Sequence, residues 1–344
     1  MASTSSSSAG LRRYILTRVA LAPLFLLLLL TLLFVLLRIL PGDPVTVALG
    51  GRATPERIEQ VREASGLNEP ILVQYVGYLG DIVQGDFGQP VTEARSVGEL
   101  VGDLVPATLE LSLFAMLVAI PVGIVVGSFS ARYRDTPLDV GGRLFGIVAY
   151  SLPVFWLGIQ AQLVFSNGLG WLPTGNRISA RIAPVDGPTG FYVLDGLLAG
   201  NSEFTLAALE HLILPGVTLG LVISGVFVRM VRVNMLQTLR ADYVESAHAR
   251  GVRDRPVLFR HAFKNALVPV ITIMGLQFAL LLGGAILTET TFSWPGMGTK
   301  LVDFINARDY VGVQGLVTVI AIVIVAVSLL IDVIHGLIDP RVRY

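Results

Sequence analysis

Read by its apolar and polar positions, the chain divides into six long apolar runs separated by polar connections. The runs lie near residues 14–40, 107–131, 142–166, 208–232, 267–288 and 312–337. At 1.5 Å per residue, each is long enough to cross about 30 Å of hydrocarbon as a helix. A bilayer core offers no water to backbone N–H and C=O groups, so a spanning segment has to satisfy them internally, as an α-helix does. The pattern predicts an all-α polytopic membrane protein with six transmembrane helices.

The ends of the runs refine this picture. Residues 1–10 are Ser-rich and lack large apolar side chains, which predicts a disordered tail, with residues 11–344 forming one transmembrane domain. Arg12, Arg13 and Arg18 precede the apolar core of the first run, Val19 to Leu37. A cleaved signal peptide would have a shorter apolar region, and the Ala20-Leu21-Ala22 triplet lies at the start of the run instead of after it, so the run is read as an uncleaved span. Six spans put both termini on one side. If that side is cytoplasmic, it holds three basic residues at the N-terminus, three after the second run, eight after the fourth and two at the C-terminus, most of the 25 present. This distribution follows the positive-inside tendency.

The polar connections carry their own signals. Residues 41–106 are too long for a turn and contain Thr54-Pro55-Glu56-Arg57-Ile58, with Thr54 suited to cap a helix and Pro55 to open it, which predicts a small ordered external cap. The second external connection, 166–205, carries turn chemistry that includes Trp171-Leu172-Pro173-Thr174-Gly175. It reads either as a surface loop or as part of a docking surface with Trp171 as an anchor. In the third, 288–311, Trp294 fits either an aromatic belt or a folded turn near the mouth of a pathway. Gly123/Gly127, Gly142/Gly146 and Gly216/Gly220 have the spacing that lets helices approach closely, and are read as packing positions.

The most informative stretch is the charged connection 229–269. On one continuous helix Met235, Leu239, Tyr243 and Ala247 would share a stripe, with Arg240, Asp242, Glu245 and Arg250 elsewhere, which describes an amphipathic helix outside the bilayer. Gly251 supplies the positive φ that ends such a helix, Asp254 can cap the next, and Pro256 suits its first turn. In that second helix His261, Asn265 and Pro269 recur at intervals of four. The competing account is an ordinary solvated basic loop, which the ordered spacing disfavours.

Composition narrows the function classes. Of 344 residues 53% are hydrophobic and 15% charged, more apolar surface than a soluble core of this length needs. A net charge of zero gives no overall field that would attract nucleic acid. The absence of cysteine excludes disulfides, thiolate metal sites and a cysteine nucleophile, and four scattered histidines do not suggest a metal centre. Ion-coupled transport and intramembrane hydrolysis need titratable groups at membrane depth. The inner parts of the six runs contain none, and Glu110, His211, Asp332 and His335 are placed near span ends. Gln160, Gln162 and Gln277 are the sizeable polar side chains inside, where they either line a passage or bond neighbouring helices. The chain has no phosphate-cradling Gly-x-x-x-x-Gly-Lys-Ser/Thr motif, so energy has to come from another subunit. A motor-independent channel is the alternative.

The stretch Glu245-Ser246-Ala247, then Gly251, then His261 to Pro269 resembles the conserved cytoplasmic loop of ATP-binding cassette importer permeases, with Ser246 in place of that pattern's first Ala. Asp242-Tyr243-Val244 before it and the His-x-x-x-Asn-x-x-x-Pro element after it are similar to the dipeptide and oligopeptide branch. Pro41-Gly42-Asp43-Pro44, Gln74-Tyr75, Gly85-Asp86-Phe87-Gly88, Glu289 through Gly298 and Asp339-Pro340-Arg341-Val342-Arg343 also resemble that branch. The resemblance implies a type I importer permease, the B member of a pair, in a bacterial or archaeal cell membrane. It implies a second, different permease chain, two cytoplasmic ATPase domains that bind the ATP, an external substrate-binding protein and a peptide substrate, with nickel or another small solute as the alternative cargo. No cofactor of its own is implied. The residues it assigns to ATPase coupling are Asp242, Tyr243, Glu245, Ser246, Ala247, Gly251, His261, Asn265 and Pro269.

Overall fold

The computed structural model describes residues 4–39, 54–64, 68–251 and 263–338, apart from some side chains within them. Expected features at 41–44, 254–256, His261 and 339–343 lie outside the described residues. Among the described residues every regular element is helical.

Helix α1 (Thr4–Ile39) carries the first apolar run. Its start at Thr4 corrects the expectation of a disordered tail over residues 1–10. Once the leucine-rich run nucleates a helix, serines of middling propensity extend it at little cost. Helix α2 (Pro55–Ala64) begins as the sequence predicts, with the Thr54 carbonyl and hydroxyl accepting from the Arg57 N–H at 3.0 and 3.4 Å. Helix α3 (Ile71–Gln84) ends at Gly85, whose φ of 82° is left-handed.

Helix α4 (Val97–Arg132) starts about three turns before the expected span at 107. A capping box sets that start: Ser96 Oγ accepts from the Glu99 N–H at 3.2 Å, and Glu99 Oε2 accepts from the Ser96 N–H at 3.1 Å. The third expected span, 142–166, is not one rod. Helices α5 (Pro137–Ser151) and α6 (Val154–Ala161), the latter continuing as a π-helix over Gln162–Gly168, meet at 99°. Pro153 has no N–H to give and disfavours helical backbone before it, and Leu152 is extended, with ψ 130°.

Helix α7 (Tyr192–Leu198) precedes α8 (Ser202–Leu239), a 38-residue helix capped by Asn201 Oδ1, which accepts from the Phe204 N–H at 3.0 Å. Next come α9 (Asp242–Ala249), α10 (Phe263–Ala266) and α11 (Val268–Gly284). The chain then forms α12 (Ile286–Thr291), α13 (Met297–Asn306) and α14 (Tyr310–Ile338). Among the described residues α1, α4, α8 and α14 contain spans long and apolar enough to cross a bilayer, and the bent α5–α6 pair makes a fifth if it counts as one. The apolar stretch of α11, Pro269–Gly283, is shorter than such a span.

Helices α4 and α8 form the centre of the bundle, with α5 against α8, and α1 and α11 against α14. The expected packing glycines lie at these contacts. A Cβ on Gly127 would come 2.7 Å from the Val228 carbonyl, and one on Gly220 2.7 Å from the Ala115 carbonyl, so the two backbones approach too closely for larger residues. Leu111, Ala115 and Ala119 of α4 meet Phe227, Val231 and Met235 of α8 in one core cluster. A smaller cluster around Val97, Leu104, Met297, Phe304 and Leu316 closes the end of the bundle where α4 begins, here called the cap end. The opposite end, where α8 turns into α9, is the hairpin end.

Candidate functional site

At the hairpin end, α8 stops at Leu239 because the chain turns through Arg240 and Ala241, whose N–H groups reach the Gln237 and Thr238 carbonyls at 3.2 and 3.1 Å. Helix α9 starts afresh at Asp242. The break corrects the expected stripe: Met235 is buried on α8, but on α9 Val244 is buried while Tyr243 is exposed. Asp242, Ser246 and Arg250 are exposed, and the backbone places Glu245 and Ala247 within α9. Gly251 has φ 76°, the left-handed corner the sequence predicts. Asn265 lies in α10 and Pro269 in the first turn of α11; Leu267 between them keeps right-handed helical backbone, its N–H on the Phe263 carbonyl and its carbonyl accepting from the Ile271 N–H, both at 3.0 Å, so the helical path runs on past the rung that Pro269 cannot supply. Ala266 is buried in the same core cluster as Met235, which anchors the returning arm on α8.

Beneath this hairpin lies a polar joint that sequence reasoning missed. Asp139 of α5 is fully buried and accepts from Arg232 Nε and Nη2 of α8, from Ser130 Oγ of α4 at 2.7 Å and from the Asp135 N–H at 3.1 Å. This ties the α4–α5 turn to the segment of α8 that leads into α9.

At the cap end, Glu110 is buried and paired with Arg177, whose Nε and Nη2 reach Glu110 Oε2 at 3.0 and 2.6 Å. Glu110 Oε1 accepts from the Val193 N–H at 2.9 Å, and the Arg177 guanidinium lies 3.8 Å from the centre of the Tyr192 ring. Because α4 starts at Val97, Glu110 lies about 20 Å into that helix, although only three residues into the apolar run expected at 107–131. Its burial is tolerated because two guanidinium N–H groups converge on Oε2 and the remaining carboxylate oxygen is bonded. Only the isolated glutamate in an apolar run pointed to this pair, since its partner is 67 residues away.

Glu289 forms the second buried centre at this end. Its Oε1 accepts from Thr108 Oγ1 at 2.6 Å and its Oε2 from the Thr299 N–H at 3.0 Å. Burial pushes its pKa up, and hydrogen bonds from Thr108, Thr299 and Gly298 offset part of that shift. Gly296 and Gly298 are the residues that let the chain wrap the carboxylate, since a Cβ on Gly296 would overlap it and one on Gly298 would come 2.9 Å from Oε2. Trp294 is fully buried with its indole N–H on the Ala107 carbonyl at 2.9 Å, so it belongs to the folded turn and not to an aromatic belt. Trp171 is largely exposed. A cavity of about 640 Å³ opens beside these centres, lined by Arg95, Asp103, Arg177, Tyr192, Lys300 and Asp303 among others, so it presents both signs of charge.

The three glutamines separate. Gln162 is a staple, its Nε2 donating to the Thr174 carbonyl at 2.7 Å and the Thr291 carbonyl at 3.0 Å. Gln160 and Gln277 are half-buried on α6 and α11.

Two family descriptions match the chain: "Binding-protein-dependent transport system inner membrane component" over residues 123–344, and the N-terminal part of such membrane components over residues 11–112. The first range contains the whole hairpin. Curated relatives include the dipeptide transport system permease protein DppB of Alkalihalophilus pseudofirmus, 40% identical over 311 residues, which cover 90% of this chain and 93% of the relative. The di/tripeptide transport system permease protein DppB of Pseudomonas aeruginosa is 41% identical over 314 residues, 91% and 93% of the two chains. The probable D,D-dipeptide transport system permease protein DdpB of Escherichia coli is 40% identical over 309 residues, 90% and 91%.

Proposed function

This chain belongs to the family of binding-protein-dependent transport system inner membrane components, and on that premise we propose that it is the permease subunit of an ATP-driven peptide importer. It carries di- or oligopeptides into the cytoplasm as a multi-pass protein of a bacterial or archaeal cell membrane. Residues 11–344 form one permease domain with residues 41–106 as an external cap, and both termini face the cytoplasm. Its partners are a second, different permease, two cytoplasmic ATPase domains and an external binding protein. ATP is bound by those partners, and this subunit has no ATPase site or cofactor of its own.

The observation that carries the coupling role is the corner at Gly251. A short helix with exposed Asp242, Tyr243 and Ser246 ends there, so a compact polar element stands at the hairpin end with its base fixed on α8. In this reading α9 sits in a cleft of an ATPase subunit, with Glu245 as the polar contact and Ala247 allowing close approach. Gly251 sets the corner, and His261, Asn265 and Pro269 orient the returning arm. Closure of the ATPase pair then moves α8, and the joint at Asp139 carries that motion to α4 and α5. At the cap end the cavity of mixed charge suits a peptide, which has an ammonium at one end and a carboxylate at the other.

The test is uptake of labelled dipeptide by proteoliposomes holding the complete transporter. Gly251→Val, inserted at normal levels, is expected to abolish ATP-driven uptake, and full uptake would overturn the coupling role. Uptake by this chain alone, without ATP, would instead support the motor-independent channel, and transport of nickel in place of peptide would reassign the solute.

A further inference from the structure

Helix α3 has a surface that the transport reading does not use. Its sequence, ILVQYVGYLGDIVQ, contains one charged residue, and at 14 residues it is too short to span a bilayer. At about 100° per residue its side chains sort into three faces. Tyr75 and Tyr78 turn toward the bundle. Leu72, Val76, Leu79 and Val83 form an apolar edge, with Leu72 74%, Val76 68% and Val83 88% exposed. Gln74, Asp81 and Gln84 occupy the opposite edge.

The bundle-facing tyrosines fix the depth of the helix. Tyr75 Oη and Thr31 Oγ1 of α1 share a hydrogen bond of 2.6 Å, and Tyr78 Oη and Thr318 Oγ1 of α14 one of 2.7 Å. Phe34 of α1 contacts both tyrosine rings. Thr31 and Thr318 lie within the apolar spans Ile15–Arg38 and Tyr310–Ile334. Each is eight residues from the cap end of its helix, about 12 Å along the axis. Arg38 marks that end and donates to Gln74 Oε1 at 3.0 Å. So α3 is held below the ends of the spans, not above them.

We infer that α3 is a membrane-interface helix whose Leu72–Val76–Val83 edge is immersed in the lipid of the leaflet at the cap end. Under the orientation proposed above, this is the outer leaflet. The exposed apolar surface of α1 at the same depth continues the edge, because Leu28, Leu32 and Leu36 are also exposed. The polar edge, opposite the apolar one, then faces headgroups and water, the division expected of a helix lying in the interface plane. Such a helix fixes the height of the cap in the bilayer through its own lipid contacts, independently of the hairpin.

The absence of cysteine makes the test direct. Single cysteines at Val76→Cys and Val83→Cys, with Asp81→Cys as the polar-edge control, are labelled with bimane in the assembled transporter in lipid vesicles. Spin-labelled lipid is expected to quench positions 76 and 83 several-fold more than position 81, with aqueous iodide giving the reverse order. Equal iodide quenching at all three positions would overturn the inference in favour of a water-exposed face. So would protection of 76 and 83 from both quenchers with cross-linking to another subunit, which would make the edge a protein interface. Two independent apolar positions keep the outcome readable if one variant fails to assemble, and neither readout depends on transport.

Discussion

Arg232 meets Asp139 in a fork, Nε to Oδ1 at 2.7 Å and Nη2 to Oδ2 at 2.8 Å, across 93 residues of sequence. The carboxylate is fully buried while the guanidinium is partly exposed, so the pair closes the hairpin end without burying both charges completely. Removing one member of such a pair leaves the other uncompensated, at a cost of about 3–5 kcal/mol. Asp139→Ala is therefore expected to lower the melting temperature of the purified chain clearly. Arg232→Lys, which keeps the charge but loses the fork, should lower it less. An unchanged melting temperature in Asp139→Ala would refute the structural role of the pair.

Glu289 gives the cap end a pH dependence. Its folded pKa lies above the ordinary glutamate value, so the folded state binds a proton more tightly than the unfolded state. The resulting stabilisation is complete below the unfolded pKa, near pH 4, and is lost as pH rises through the folded pKa. Glu289→Gln should remove that slope and keep the fold. Its amide can donate to Thr108 Oγ1 while its carbonyl accepts from the Thr299 N–H. Glu289→Ala leaves Thr299 without that acceptor and should destabilise at every pH. Thermal melts from pH 4 to 8 check this, and a slope that persists in Glu289→Gln would assign it to another group.

At Gly251 the positive φ ranks substitutions. Asn tolerates the left-handed region, whereas a β-branched residue there is strained by about 1–2 kcal/mol or more. Gly251→Asn should retain most ATP-driven uptake and Gly251→Val little, with similar amounts of each protein in the membrane. Equal uptake by the two variants would show that the corner does not need this backbone conformation.

The contact between α4 and α8 predicts a different failure. A methyl on Gly127 would press on the Val228 carbonyl and the Val231 side chain, and overpacking of this kind costs about 1–3 kcal/mol. Gly127→Ala should reduce the yield of folded, monodisperse protein, measured by size-exclusion chromatography in detergent. Gly141→Ala, where a Cβ meets nothing within 4 Å, serves as the neutral control.

The apolar runs, the capped start at Thr54, the packing glycines and the corner at Gly251 were legible because each is a local property of the chain. The broken third span was not. Pro23, Pro106, Pro121 and Pro215 all sit inside helices that continue past them, and among the described residues Pro153 alone accompanies a 99° bend, so proline by itself does not mark the break. The start of α4 was lost because Glu99 and Asp103 interrupt the apolar pattern, although Ser96 and Glu99 carried the capping signal. The stripe on α9 failed because a two-residue turn at Arg240 and Ala241 resets the helical phase. Glu110–Arg177 and Asp139–Arg232 join residues far apart in sequence, and periodicity does not reach across the intervening loops.

Helix α8 is held near both ends: His211 Nδ1 lies 2.7 Å from the Gly175 carbonyl, and Arg232 grips Asp139. Between these two clamps Pro215 has no N–H to return to the carbonyl four residues back, so the rod lacks a rung just inside its upper clamp. Under the coupling proposed above, a torque applied at the hairpin end is carried stiffly along most of its length and released as a bend at that gap, next to the loop whose Gly175 carbonyl meets His211.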